Sequence, residues 1–99
     1  MTEYSFVLYV TGNTSRSRQA LENLRRICED RLQLDQFEIS VVDVLEEPAR
    51  AEADRVIATP CVIRALPGPP QRVIGDLSAT SQVAAALGFP TDKLELHGH

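Results

Sequence analysis

The sequence predicts an α/β domain with the element order βαβαββα. Three observations carry this. Runs of β-forming apolar residues at Ser5–Val10 and Phe37–Val44 flank a long stretch with helical spacing, the pattern of a βαβ unit. A shorter helical pattern then stops at Thr59-Pro60, where the β-branched run Cys61–Leu66 begins. Finally, Pro67-Gly68-Pro69-Pro70 forms a stiff turn between that run and Gln71–Gly75, ahead of a last helix.

Ser5-Phe6-Val7-Leu8-Tyr9-Val10 is almost continuously apolar, which suits a strand buried on both faces. Thr11-Gly12-Asn13-Thr14 supplies turn chemistry, with Asn13 or Thr14 as helix N-cap. Over the next eighteen or so residues, Ala20, Leu21, Leu24, Ile27, Cys28 and Leu32 make one helical face. The opposite face is charged, and Glu22 precedes Arg26 in the favourable i,i+4 order. Phe37–Val44 alternates and then turns apolar, predicting a second strand parallel to the first.

Glu46-Glu47-Pro48 opens a second helix, because Pro fits the first helical position and carboxylates suit the positive end of the dipole. It is expected to run from Ala49 to about Ile57, since Pro60 forces the residue before it into extended geometry. An X-Pro bond is also where a cis peptide is cheap, and a Pro can open a strand without its N–H. Thr59-Pro60 is therefore expected to be cis. Ser78 is expected to cap the last helix, and Gly88 and Pro90 to end it. Residues 1–90 form the expected domain and 91–99 a loose tail. With a Pro at the mouth of its third strand, this order resembles the thioredoxin fold, an architecture that does not settle function.

Bulk properties narrow the function classes. At 43% hydrophobic and 24% charged, 99 residues make one ordinary globular domain, and with no Trp its core must be aliphatic. A net charge of −4 argues against nucleic-acid binding, which relies on a basic field. Nine of the ten basic residues are Arg, whose planar fork suits carboxylate contacts on a protein partner; codon bias explains the count equally well. The acidic start Met1-Thr2-Glu3 is no secretory signal. No apolar run approaches the roughly 20 residues that span a bilayer. A reducing cytoplasm is the expected location.

Chemistry is sparse. A thioredoxin-type redox site needs a Cys at the start of the first helix, where this chain reads Gly12-Asn13-Thr14-Ser15. Thr14 or Ser15 in that role, as in some glutathione-binding relatives of the fold, is the alternative to simple capping. Cys28 falls on the apolar face and reads as core. Cys61 flanks the expected cis-Pro; inert packing is the simpler reading and a reactive thiol the alternative. Asp43, at the end of the second strand, is placed equally well for function or for capping. Glu95, His97 and His99 offer too few ligands on a loose tail for a metal site. No cofactor is expected.

Four blocks then occur together and in order: Leu8-Tyr9-Val10-Thr11-Gly12-Asn13-Thr14, Val42-Asp43-Val44-Leu45, Ile57-Ala58-Thr59-Pro60 and Val73-Ile74-Gly75-Asp76-Leu77-Ser78. With them the chain resembles the KaiB family of small cyanobacterial clock proteins, from about Ser5 to Leu87. The sensor domain of SasA kinases is similar in its first half, but the Gly-Asp-Leu-Ser ending favours KaiB. The resemblance implies a non-enzymatic protein that binds the N-terminal ATPase ring of a KaiC-type partner. It also implies competition with SasA-type sensors, sequestration of KaiA-type activators and contact with CikA-type proteins. The family is metamorphic: a βαββααβ ground state forms tetramers, and a thioredoxin-like state, monomeric, binds the ring.

The half of the chain after about Ala51 is the part such a switch rebuilds. The family carries Gly-Leu-Asp where this chain has Ala86-Leu87-Gly88, and Ala for Gly inside a helix is worth roughly 1 kcal/mol. Ala86 and Gly88 therefore mark a switch region biased toward the thioredoxin-like state. The same resemblance makes Gly12 and Pro60 structural, and Arg55, Arg64 and Arg72 partner contacts on the surface.

Overall fold

The computed structural model describes residues 2–89. The expected tail, 91–99, with Glu95, His97 and His99, lies outside them. Strand β1 (Tyr4–Val10) leads into helix α1 (Ser15–Arg31), then a 3-10 turn (Leu34–Gln36) and strand β2 (Phe37–Asp43). Helix α2 (Pro48–Ala53), strands β3 (Cys61–Leu66) and β4 (Gln71–Ile74) and helix α3 (Thr80–Ala86) follow. The sheet order is β2-β1-β3-β4. β1 is parallel to β2 and antiparallel to β3, and β4 is antiparallel to β3. This is the thioredoxin-like arrangement, and the Thr59–Pro60 bond is cis.

β1 is the central ribbon because both of its faces are apolar. Phe6, Leu8 and Val10 join Ala20, Leu24, Ile27, Val62, Leu77, Val83 and Leu87 in the cluster under α1 and α3. On the other face Tyr9 joins Val42, Cys61, Ile63 and Ala51 of α2. One face thus has two helices over it, and the other only the six residues of α2. α1 starts where expected: Thr14 is the N-cap, and its Oγ1 accepts from the Ser17 amide at 3.1 Å.

Two boundaries differ from expectation. α2 ends at Ala53 rather than near Ile57, because Arg55 turns left-handed at φ 55°. The Val56 amide then donates to Ala51 O and the Arg55 amide to Glu52 O, the paired bonds of a Schellman stop. α3 ends in the same way at Gly88 (φ 73°), with Phe89 donating to Ala84 O and Gly88 to Ala85 O. Glycine adopts that geometry freely, whereas arginine pays roughly 1–2 kcal/mol for it. At its start, α3 is not capped by Ser78. The Asp76 carboxylate accepts from the Ser78 amide at 3.0 Å, Leu77 turns to φ 65° and is buried, and the helix begins only at Thr80.

Asn23 ties this connection to α1. It is buried on the inner face of the helix, and its Nδ2 donates to Asp76 O at 2.8 Å. The amide thereby satisfies a carbonyl in a segment that makes no ladder bonds.

Candidate functional site at the C-terminal end of the parallel strands

Parallel β1 and β2 end together at Val10 and Asp43, and antiparallel β3 begins beside them, with Cys61 opposite Tyr9. Three connections therefore converge here: Thr11–Thr14, the loop after β2, and Arg55–Pro60. Asp43 stitches the first two. Its Oδ1 accepts from the Gly12 amide at 3.3 Å and the Leu45 amide at 2.9 Å, so its placement is accounted for by loop capping. Gly12 reaches it with φ 68°. Thr11 Oγ1 and Thr59 Oγ1 lie 2.6 Å apart and join the first connection to the third. Pro60 O accepts from the Gly75 amide at 2.8 Å.

α2 is latched to the sheet by a Tyr and an Arg. The Tyr9 hydroxyl donates to the Asp54 carboxylate. Arg72 Nη2 donates to Asp54 O at 2.7 Å and Nη1 to Arg55 O at 3.1 Å. The guanidinium fork thus satisfies carbonyls at the negative end of α2. It also braces Arg55 in its left-handed turn.

Burial, and then the hydrogen bond and charge of Asp54, push the Tyr9 phenol up to about 12 from 10.0, against the opposing pull of Arg50. The neutral phenol is therefore the form that the fold favours. Its contribution is complete below the unfolded value near 10 and disappears as pH rises through about 12. Thermal melts from pH 9 to 12 are expected to show the parent losing stability that Tyr9→Phe does not lose. Parallel curves would remove Tyr9 from the latch.

Of the alternative nucleophile positions, Thr14 is engaged in capping and Cys61 in packing. Thr14 Oγ1 accepts from the Ser17 amide and donates to Ser17 Oγ at 2.9 Å. Ser15 is exposed at the start of α1. Cys61 is fully buried, and burial raises its thiol despite the opposing pull of Arg72. Cys28, in the core, is pushed up to about 12 by burial and Glu29. Native protein is expected to leave both thiols unmodified by a charged thiol reagent at neutral pH, and denatured protein to react at both. Rapid native labelling that Cys61→Ser abolishes would contradict this placement.

What this end does present is a surface. Ile57 is 87% exposed and Leu45 70%. Beside them, Thr11, Val44, Ala51, Val56, Ala58 and Thr59 line a shallow cleft of about 210 Å³. Arg55 and Arg72 are exposed and joined through the Arg72–Arg55 O bond. Arg64 is not with them. It was expected on the surface with the other two, yet it is 8% exposed, because its place in β3 shares the face of Val62 that α1 and α3 cover. Ala86 and Gly88 are exposed at the far end of α3. The Tyr9–Asp54 pair and Asn23 went unnoticed in the sequence, although Asn23 sits at helical spacing from Ala20 and Ile27.

A KaiB domain model matches residues 7–89. The chain is 45% identical to the circadian clock protein KaiB3 of Synechocystis sp., over 90% of this chain and 86% of that one. It is 42% identical to the circadian clock oscillator protein KaiB of Prochlorococcus marinus, over 92% and 86%. Among solved structures, the N-terminal domain of Synechococcus elongatus SasA superposes with a TM-score of 0.72 at 21% identity, covering 89% of this chain and 86% of that one. Mitochondrial thioredoxin 3 of Saccharomyces cerevisiae superposes with a TM-score of 0.66 at 16% identity, covering 87% and 78%. The two superpositions establish a shared fold, and the sequence matches establish descent: the chain belongs to the KaiB family of clock proteins.

Proposed function

We propose that this protein is a non-enzymatic binding module that docks on the N-terminal ATPase ring of a KaiC-type partner and regulates its phosphorylation cycle. The observation that carries this reading is the exposed Ile57, two residues from the linked Arg55 and Arg72, at an end of the fold that also exposes Leu45 and where no activated nucleophile stands among the described residues. Apolar anchors rimmed by arginine suit a protein partner, with the charges steering approach. The fold shared with the SasA domain supports competition between this chain and SasA-type sensors for one ring surface. Contacts with KaiA-type and CikA-type proteins, and a cytoplasmic location, follow from the same reading. Among the described residues no helix is long and apolar enough to cross a membrane.

Size-exclusion chromatography of the protein with a KaiC-type ring and ATP tests this. Co-elution is expected, and failure to co-elute over hours overturns the partner assignment. A redox or glutathione-type enzyme using Cys61, Thr14 or Ser15 is the competing class. The sealed Cys61 and the capping role of Thr14 weigh against it.

The thioredoxin-like state is also proposed as the resting, monomeric state of a chain able to rebuild its second half. Such switching needs two packings within a few kcal/mol. Ala86 ends α3 and Gly88 sits in its left-handed stop, so helix propensity at these positions biases the balance. Ala86→Gly is expected to weaken α3 by up to roughly 1 kcal/mol and to raise the population of the other packing. NMR secondary shifts over 83–87 read this directly; shifts that are already extended in the parent would refute the resting-state proposal.

A further inference from the structure

Leu77 stands in a backbone conformation that a bulky residue seldom adopts. Its φ is 65° and its side chain is buried, in left-handed geometry that normally calls for Gly or Asn. Such strain persists only where the surroundings over-determine it. Two hydrogen bonds bracket the residue. On one side Asn23 Nδ2 donates to Asp76 O at 2.8 Å, and on the other the Asp76 carboxylate accepts from the Ser78 amide at 3.0 Å. Asp76 O belongs to the peptide plane that joins Asp76 to Leu77, and the tilt of that plane sets φ at Leu77. Asn23 therefore holds the strained dihedral itself.

The Asn23 amide is 4% exposed on the inner face of α1, among Ala20, Leu24 and Ile27. Its Oδ1 accepts from Gln19 Nε2 at 3.3 Å, which turns the Nδ2 end toward the connection. Rotating the Asp76–Leu77 peptide would return Leu77 to a negative φ and swing Asp76 O away from α1. That relief is opposed because it leaves a buried donor without its acceptor. Turned over, the connection would offer Ser78 as the cap of α3, the start that local sequence favours. In the folded chain α3 begins instead at Thr80.

We propose that Asn23 is a polar lock on the β4–α3 connection. Its amide holds the Asp76–Leu77 peptide in the left-handed setting and thereby fixes where α3 begins. The lock acts across 53 positions of sequence and within the observed packing, so it does not depend on the second packing proposed above. Its role is positioning. Without the donor the connection turns over and α3 loosens, while β1, α1 and β2 stay folded.

Asn23→Leu in the full chain keeps the size of the side chain and removes the donor. It is expected to erase the strong intraresidue HN–Hα NOE of Leu77 that marks a positive φ. The amides of Val83 and Leu87, which bond within α3, are expected to exchange about tenfold or more faster relative to those of α1. Leu24→Ala separates the lock from stability alone: it is expected to lower Tm and to keep the Leu77 NOE. Should Asn23→Leu fail to fold, the parent provides the readout. There the Asn23 side-chain NH2 protons are expected to exchange with solvent more slowly than those of the exposed Asn13. Either the Leu77 NOE or the α3 exchange unchanged in a folded Asn23→Leu overturns the lock. So does loss of the NOE in Leu24→Ala, or an Asn23 NH2 that exchanges as fast as that of Asn13.

Discussion

Leu24→Ala is expected to lower the unfolding free energy by about 2–5 kcal/mol, through lost apolar transfer and the cavity left behind. Leu24 is fully buried and belongs to the cluster that joins α1 to Phe6 and Leu8 of β1, Val62 of β3 and Leu87. Domains usually hold about 5–15 kcal/mol in total, so this one side chain accounts for a large share. Urea unfolding should show a lower midpoint with an unchanged slope. Leu34→Ala, at a residue 76% exposed, should stay within about 0.5 kcal/mol of the parent. Equal losses at the two sites would mean that α1 does not present the face described.

If the proposed docking on a KaiC-type ring holds, Arg72→Glu is expected to have the largest effect on it, weakening the complex by about 30-fold or more, the size of a hot-spot loss. Two consequences combine. The charge offered to the partner reverses, and the new carboxylate faces the Asp54 and Arg55 carbonyls that the guanidinium now satisfies. The end of α2 is thereby loosened. Arg72→Lys keeps the charge but loses the two-point fork, so an intermediate loss is expected. Titrations at two salt concentrations separate the causes, because a steering charge acts mainly on the association rate and is screened by salt. A folded Arg72→Glu that binds like the parent would place the interface elsewhere.

The latch containing Arg72 shows where sequence patterning stops being informative. α1 and β1 were legible because their signals are local: helical spacing from Ala20 to Leu32, a Thr14 cap, and an apolar run that only a two-sided strand uses. The end of α2 was not legible. Its stop is an arginine in left-handed geometry, braced by a guanidinium 17 residues away, and no glycine marks it. Ser78 misled for a related reason: Asp76, two residues earlier, takes its amide and delays α3. At Arg64 two signals competed. Strand alternation from Val62 pointed inward and the charge pointed outward, and the pattern prevailed.

By itself, then, the sequence determined the order of the elements, the turn from β1 into α1 and, through four blocks in register, the family. Those features rest on backbone preference and periodicity, which a few neighbouring residues encode. Only the tertiary structure decided which polar groups meet. Tyr9 finds Asp54 across 45 positions and Thr11 finds Thr59 across 48. Asn23 reaches Asp76 across 53, and Arg64 is enclosed without a carboxylate among the described residues. Such pairings depend on how the faces of separate elements come together, a relation no local pattern carries.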